Sequence, residues 1–259
     1  MRPVLATSPP RFSPRRVRDC VLFLDARSIA AGAVASAPNL GTLGGNFVQA
    51  TGASQPTNTA GAGPNGGAAL VFDGGDWLAS DLAASAWTPL HAASCAIYVV
   101  WKTTSANPNA YFGIVSTAAA GSTNRGVSVF YDDRSGLSRN DAIFGGVNSG
   151  TAWVAQSLSA NNAMPAATWS LLEIVFEQGV SGDDLRIYRN GALATSADST
   201  AAVSASAPQR TLEIGRLVSD AGSRLIGSIA EIAIYSPAPS AAARDYVRRG
   251  LGAKNGLTV

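Results

Sequence analysis

The stretch Leu185-Arg186-Ile187-Tyr188-Arg189-Asn190-Gly191-Ala192-Leu193-Ala194-Thr195-Ser196 decides the fold. Asn190-Gly191 stands between two strand-like runs. Both middle residues of a type I′ turn need φ > 0, which Asn and Gly adopt at little cost, so the stretch predicts a β-hairpin. Immediately upstream, residues 169–177 alternate: Leu172, Ile174 and Phe176 fall on one face of a strand, Glu173 and Glu177 on the other. Further out, strands are predicted over 19–25, 70–72, 77–78, 94–103, 111–116, 126–131, 142–147, 153–158, 211–215 and 225–235. In the last of these, Ile226, Ala230, Ile232 and Ile234 share a face. Short strands recurring every 8–12 residues or so, with turn residues between them, predict an all-β sandwich of two antiparallel sheets. A single helix is predicted over 241–249, capped by Ser240 and ended by Gly250 or Gly252. Residues 30–68 are rich in Gly, Ala, Ser, Pro and Asn and read as turns and loops.

At 259 residues, with 46% hydrophobic and 14% charged side chains, the chain can bury a real core, which excludes disorder for most of its length. Apolar runs such as 97–101 are too short to cross a bilayer, and the first residues predict no signal peptide. The net charge of +2 is unevenly placed. Arg2, Arg11, Arg15, Arg16 and Arg18 lie in residues 1–18 with no acid, while the remainder holds 14 basic against 17 acidic side chains. A nucleic-acid partner wants a basic domain face, so none is expected. Pro3, Pro9, Pro10 and Pro14 make residues 1–18 an extended arm, followed by one domain over 19–259. Cys20 and Cys95 are too few for a disulfide scaffold and read as buried free thiols.

Phe72-Asp73-Gly74-Gly75-Asp76-Trp77-Leu78 resembles an early strand and turn of laminin-G-like, concanavalin A-like jelly rolls. Ile187-Tyr188-Arg189-Asn190-Gly191 is similar to that superfamily's hairpin, and residues 225–235 to its closing strand. Residues 239–254 resemble the short helix that often follows. The opening, Val21-Leu22-Phe23-Leu24-Asp25-Ala26 after an arm, looks like the start of such domains in tailed-phage structural proteins, with Phe23 where that pattern often has Trp. The resemblance implies a jelly-roll sandwich with an N-terminal arm and a short C-terminal helix.

Glycosidases of this superfamily carry acids at alternate strand positions, and Glu173 and Glu177 share a face here. Val175 stands where a middle acid would be. Four residues of regular strand separate Cα atoms by about 13 Å, whereas a retaining pair wants carboxyls about 5–5.5 Å apart. The pair therefore reads as a solvated face, and no catalytic residue is expected. Related domains often bind calcium. Asp73 and Asp76 are the first candidates for such an ion, although tight turns select the same residues. His91, the sole histidine, reads as a solvent-facing or loop residue, which leaves no parts for a zinc site or a serine triad. Trp101 and Trp169 read as core, while Trp87 and Trp153, near loops, are the candidates for stacking on carbohydrate.

The main expectation is a non-enzymatic structural protein of a phage or phage-like particle, assembled in the host cytoplasm. It would be a capsid decoration or tail-associated module fastened by Arg2, Arg11, Phe12, Arg15, Arg16 and Arg18 to capsid or tail proteins, or to other copies of itself. A plain tail and a nucleic-acid arm are the competing readings of residues 1–18. The second expectation for the whole chain is a carbohydrate-binding module for a surface glycan, with no cofactor other than calcium and no membrane partner.

Overall fold

The computed structural model describes residues 12–103, 110–118, 123–179, 183–217 and 222–259. Arg2 and Arg11 lie outside them. In chain order the strands are β1 (Cys20–Asp25), β2 (Gly32–Ala33), β3 (Ser36–Pro38), β4 (Asn46–Val48), β5 (Thr57–Thr59), β6 (Ala69–Asp73), β7 (Leu78–Ser80), β8 (Cys95–Thr103) and β9 (Tyr111–Ser116). They continue as β10 (Arg125–Asp132), β11 (Ala142–Ser149), β12 (Trp153–Leu158), β13 (Ser170–Phe176), β14 (Leu185–Arg189), β15 (Ala192–Ala197), β16 (Glu213–Ile214) and β17 (Ile226–Tyr235). Two helices accompany them, α1 (Pro89–Ala92) and α2 (Ala241–Asn255).

All pairings between the described strands are antiparallel. A nine-stranded sheet runs β15-β14-β13-β8-β17-β6-β5-β2, with β1 joining it against the second half of β17. An eight-stranded sheet runs β12-β11-β10-β9-β16-β7-β4-β3. The Asn190-Gly191 hairpin joins β14 to β15 with φ of 46° and 82° at the two turn residues. The glycine-rich stretch expected as loops instead holds the short strands β2 to β5. With two or three residues each, they have no room to show alternation.

The main core lies between the sheets. Ile97, Val99, Trp101, Leu172, Ile174, Phe176, Ile229, Ile232 and Ile234 from the nine-stranded sheet meet Phe112, Val127, Val129, Tyr131, Ile143 and Val154 from the other. A bulge at Ala230 shifts the register between Ile229 and Glu231, so both Ile229 and Ile232 point inward. Ala230 therefore leaves the face expected for it and packs in a second apolar layer.

That second layer lies on the outer side of the nine-stranded sheet, where α2 buries Val247 and Leu251 against Tyr98, Leu171, Val175 and Tyr235. Ser240 caps α2 by accepting from the Ala243 amide, and Gly256 closes it in the left-handed region at φ 65°. Gly250 and Gly252, expected to stop the helix, lie inside it. A Cβ at Gly250 would run into the Phe12 ring, and one at Gly252 into Val259. Close packing, not termination, selects these glycines.

Phe12 stacks edge-on against Tyr246 at 5.5 Å, and the Tyr235 hydroxyl donates to the Pro14 carbonyl at 3.0 Å. The extended arm expected through residue 18 is therefore corrected. Residues 14–16 form a 3-10 turn, and Phe12 and Pro14 pack on the chain's own body, where two apolar side chains find an apolar face. Arg15, Arg16 and Arg18 remain exposed. Among the described residues, no helix is long and apolar enough to cross a membrane.

Candidate functional site

The two outer faces differ in kind. On the nine-stranded sheet, Glu173 is 1% exposed, not solvated as its alternation predicts, because α2 lies over it. Its carboxylate accepts from Arg248 Nε at 2.8 Å and from the Tyr98 hydroxyl at 3.1 Å, with Arg244 at 3.8 Å. Glu177 is bound by Arg186 and by Arg244 Nη1, the latter at 3.1 Å. Glu231 is held by Arg27 at 2.8 Å and Lys254 at 2.9 Å, and Glu213 by Arg216. These four are all the glutamates in the chain, so every one is committed to an ion pair. Burial pushes the Glu231 carboxyl above the usual carboxylate range, against the pull of Lys254. A hydrolase needs one carboxyl free to protonate and another free to attack, and Glu173 and Glu177 offer neither.

The eight-stranded sheet carries a row of aromatic side chains on its outer face. Tyr111, Phe130, Phe144 and Trp153 come from the neighbouring strands β9, β10, β11 and β12, out of phase with the inward Val129, Ile143 and Val154. Ring centroids follow one another at 5.7, 4.5 and 5.3 Å. Phe130 and Phe144 stack on each other, whereas Trp153 meets Phe144 at 66° and lies over Gly146, where any Cβ would strike both rings. Part of this face is roofed. The Ser128 hydroxyl donates to the Ala118 carbonyl, the Ser116 hydroxyl donates to the Arg216 carbonyl, and Gly113 leaves no room for a Cβ beneath the Arg216–Leu217 peptide.

At the β11–β12 end the face opens. Gln156 and Thr151 are exposed there, and Asn148 lies opposite Trp153 in the ladder, its side chain accepting from the Gly150 amide. Arg125 borders the same turn, with Nε donating to the Ser149 carbonyl at 3.0 Å and Nη1 to the Ala207 carbonyl at 3.1 Å. The sequence signal for the row was Phe130 and Phe144 on the face opposite their strands' Val and Ile residues, a pattern that points to aromatic side chains outside the core.

The five tryptophans separate clearly. Trp87, expected at a loop and open to sugar, is 1% exposed, packs against Phe47 and donates from Nε1 to Thr211 Oγ1 at 3.1 Å. It belongs to the core, because the turn leading into α1 folds back over the end of the sandwich. Trp101 is buried against Tyr131. Trp77 has the Arg216 guanidinium 3.3 Å above its ring, and Trp169, expected in the core, is half-buried with Lys102 at 5.2 Å. Trp153 alone is half-buried with no cation over its ring among the described residues.

His91 is also corrected. It is buried, with Nε2 3.0 Å from the Ser206 carbonyl, and burial holds its imidazole below the ordinary histidine range. Asp73 accepts from the Gly75 amide at 2.7 Å and Asp76 from the Asp73 amide at 3.0 Å, so both calcium candidates close their own turn. Among the described residues, no three His, Cys, Asp or Glu side chains gather as a metal-holding group. Cys20 and Cys95 are buried free thiols, each pushed up to about 12 by burial.

The far end of the aromatic row is fixed by charge. Asp132, fully buried, binds Arg134 through two bonds of 2.8 Å and also binds Arg139, while Arg134 lies 4.2 Å over the Tyr111 ring. Burial pushes the Asp132 carboxyl up, but the bonds from Arg134 and Arg139 outweigh it and hold the group below the usual range. An unfolded aspartate titrates near about 3.9. Stability supplied by Asp132 is therefore present above about pH 4 and lost as pH falls through its lower folded value. Asp132→Asn should lower the melting temperature at pH 7 and flatten its fall below about pH 4. An acid limb as steep as wild type would show that this cluster does not supply that dependence.

A two-sheet antiparallel sandwich with one outer face sealed by a helix and the other carrying an aromatic row defines a lectin-like jelly roll. The chain belongs to the concanavalin A-like lectin/glucanases superfamily, whose laminin-G-type model matches residues 66–243. Among solved structures it is similar to the binding domain of botulinum neurotoxin serotype D, with a TM-score of 0.56 at 12% identity over 90% of this chain. It is also similar to a Trypanosoma rangeli sialidase, with a TM-score of 0.52 at 12% identity over 99% of this chain. The chain spans 51% of the first structure's length and 37% of the second's. At such identities the likeness is one of fold. No curated protein sequence matches the chain.

Proposed function

We propose that the chain is a non-catalytic glycan-binding module that holds a sugar ring against Trp153 at the open end of the eight-stranded sheet. The observation that carries this reading is the fate of the tryptophans: only Trp153 is half-buried with its ring clear of a stacked cation among the described residues. An aromatic face is electron-rich and attracts the slightly positive C–H edges of a flat apolar partner, which the apolar side of a pyranose supplies. Gln156 and Thr151 are exposed at the same end of the sheet and bring an amide and a hydroxyl, the kinds of group that give a sugar site its orientation. Membership in a lectin and glucanase superfamily supports the substrate class, and the committed glutamates support binding over hydrolysis.

Capsid or tail partners and a place in a virion, expected first from the sequence, draw no support from the family or the similar folds. Glycan recognition therefore becomes the leading reading. The test is a glycan array probed with the wild-type chain and with Trp153→Ala. Wild type should bind a defined set of glycans, and the variant should lose them while still unfolding cooperatively, with only the modest fall in melting temperature that losing the Phe144 and Gly146 contacts implies. Equal binding by both proteins would remove Trp153 from the site.

A further inference from the structure

We propose a second ligand site on the opposite side of the molecule, in a cavity of about 540 Å³ between α2 and the turn at residues 64–67, and that it takes a neutral, hydroxyl-rich ligand about one or two sugar rings in size. The volume falls within the range typical of small-molecule sites, and the walls are held in place. Phe12 forms an apolar wall, and its ring sits where it does because Gly250 has no Cβ to obstruct it. The Arg27 guanidinium lies flat against Gly67, where a Cβ would come within 2.8 Å of it. Asn65 is held at φ 53° in the turn, and its side-chain amide makes no hydrogen bond among the described residues. An aromatic wall beside a free amide and fixed donors is the chemistry that recognises a sugar.

Charge decides for a neutral ligand. The two cations lining the cavity are already neutralised beneath it. Lys254 Nζ binds Asp25 at 2.7 Å and Glu231 at 2.9 Å, while Arg27 binds Glu231 at 2.8 Å and the Asn255 side-chain oxygen at 3.1 Å. Two positive charges face two negative ones, so an anion gains no net attraction. Donors are left over all the same, because an ammonium has three N–H bonds and a guanidinium five.

The experiment is a titration of the full, isotope-labelled chain with methyl glycosides of glucose, galactose, mannose and N-acetylglucosamine, and with sodium glucuronate as the anionic control. The amide signals of Gly66, Gly67 and Gly250 report the cavity. At least one neutral glycoside should move them saturably, with a dissociation constant of about millimolar order, as a small ligand of this size allows. Ala253→Phe, at an exposed helix position on the rim, should fill the cavity and weaken the effect at least about ten-fold. Asn65→Gly removes the amide, suits the same backbone and should weaken it in the same direction. Trp153→Ala should leave these shifts intact, which separates this site from the one on the other sheet. No shift with any neutral glycoside, shifts with glucuronate alone, or shifts unchanged in both cavity variants would overturn the proposal.

Discussion

Trp87→Ala should lower the unfolding free energy by about 3–5 kcal/mol, the usual cost of truncating a large buried aromatic side chain. The indole fills the end of the sandwich beside Phe47, and Nε1 donates to Thr211, whose hydroxyl in turn donates to the Leu82 carbonyl at 2.9 Å. Truncation removes the packing and the first bond of that chain, and it opens a cavity that rigid strands cannot close. In a urea titration the midpoint should fall with little change in slope. The glycan profile of the remaining folded protein should match wild type, because Trp87 has no exposed face to offer. A variant as stable as wild type but unable to bind glycans would return Trp87 to the surface role that its position in the sequence suggested.

The second large effect concerns the sealed face. Glu173→Ala should cost about 3–5 kcal/mol, because it leaves Arg248 with only the more exposed Asp245 at 3.6 Å and the Tyr98 hydroxyl without its acceptor inside a nearly water-free contact. An exposed pair would contribute only about 0–1 kcal/mol, so the magnitude itself tests whether α2 covers the sheet. Adding Arg248→Leu to Glu173→Ala should recover part of the loss, since the charge that lost its buried partner is then gone. If Glu173→Ala costs less than about 1 kcal/mol, the helix does not shield this face and the sheet is open there.

How far the sequence could be read depends on length and on what covers each face. The long strands β8, β13 and β17 and the Asn190-Gly191 hairpin were legible because alternation needs several residues to show. The two- and three-residue strands β2 to β5 follow no visible period. They are placed by neighbours far along the chain, as in the pairing of Asn58 with Gly32 and Leu70. Glu173 was assigned to the correct face and the wrong environment. Period two says which residues share a face but not that a helix some seventy residues later will lie over it. The end of that helix was misplaced for a related reason. Gly250 and Gly252 look like stops when read locally, and only the positions of Phe12 and Val259 reveal them as packing contacts.

The candidate site was legible in one residue. Trp153 was singled out with Trp87 because both lie near loops, and proximity to a loop does not distinguish a rim from a turn folded inward. The rest of the row, Tyr111, Phe130 and Phe144, lies within predicted strands but carries no local signal of its own that marks it as a binding surface. Their phase relative to Val129 and Ile143 held the information, and the bulge between β9 and β10 obscures that phase for Tyr111.

The most direct measurement of the central claim is a map of backbone amide shifts across the labelled chain, recorded with the best glycan from the array. Glycan binding on the open sheet predicts saturable shifts gathered at Phe144, Gly146, Asn148, Thr151, Trp153 and Gln156, all lost in Trp153→Ala. Shifts confined to α2 and the strands beneath it, or a shift pattern that survives Trp153→Ala, would contradict it.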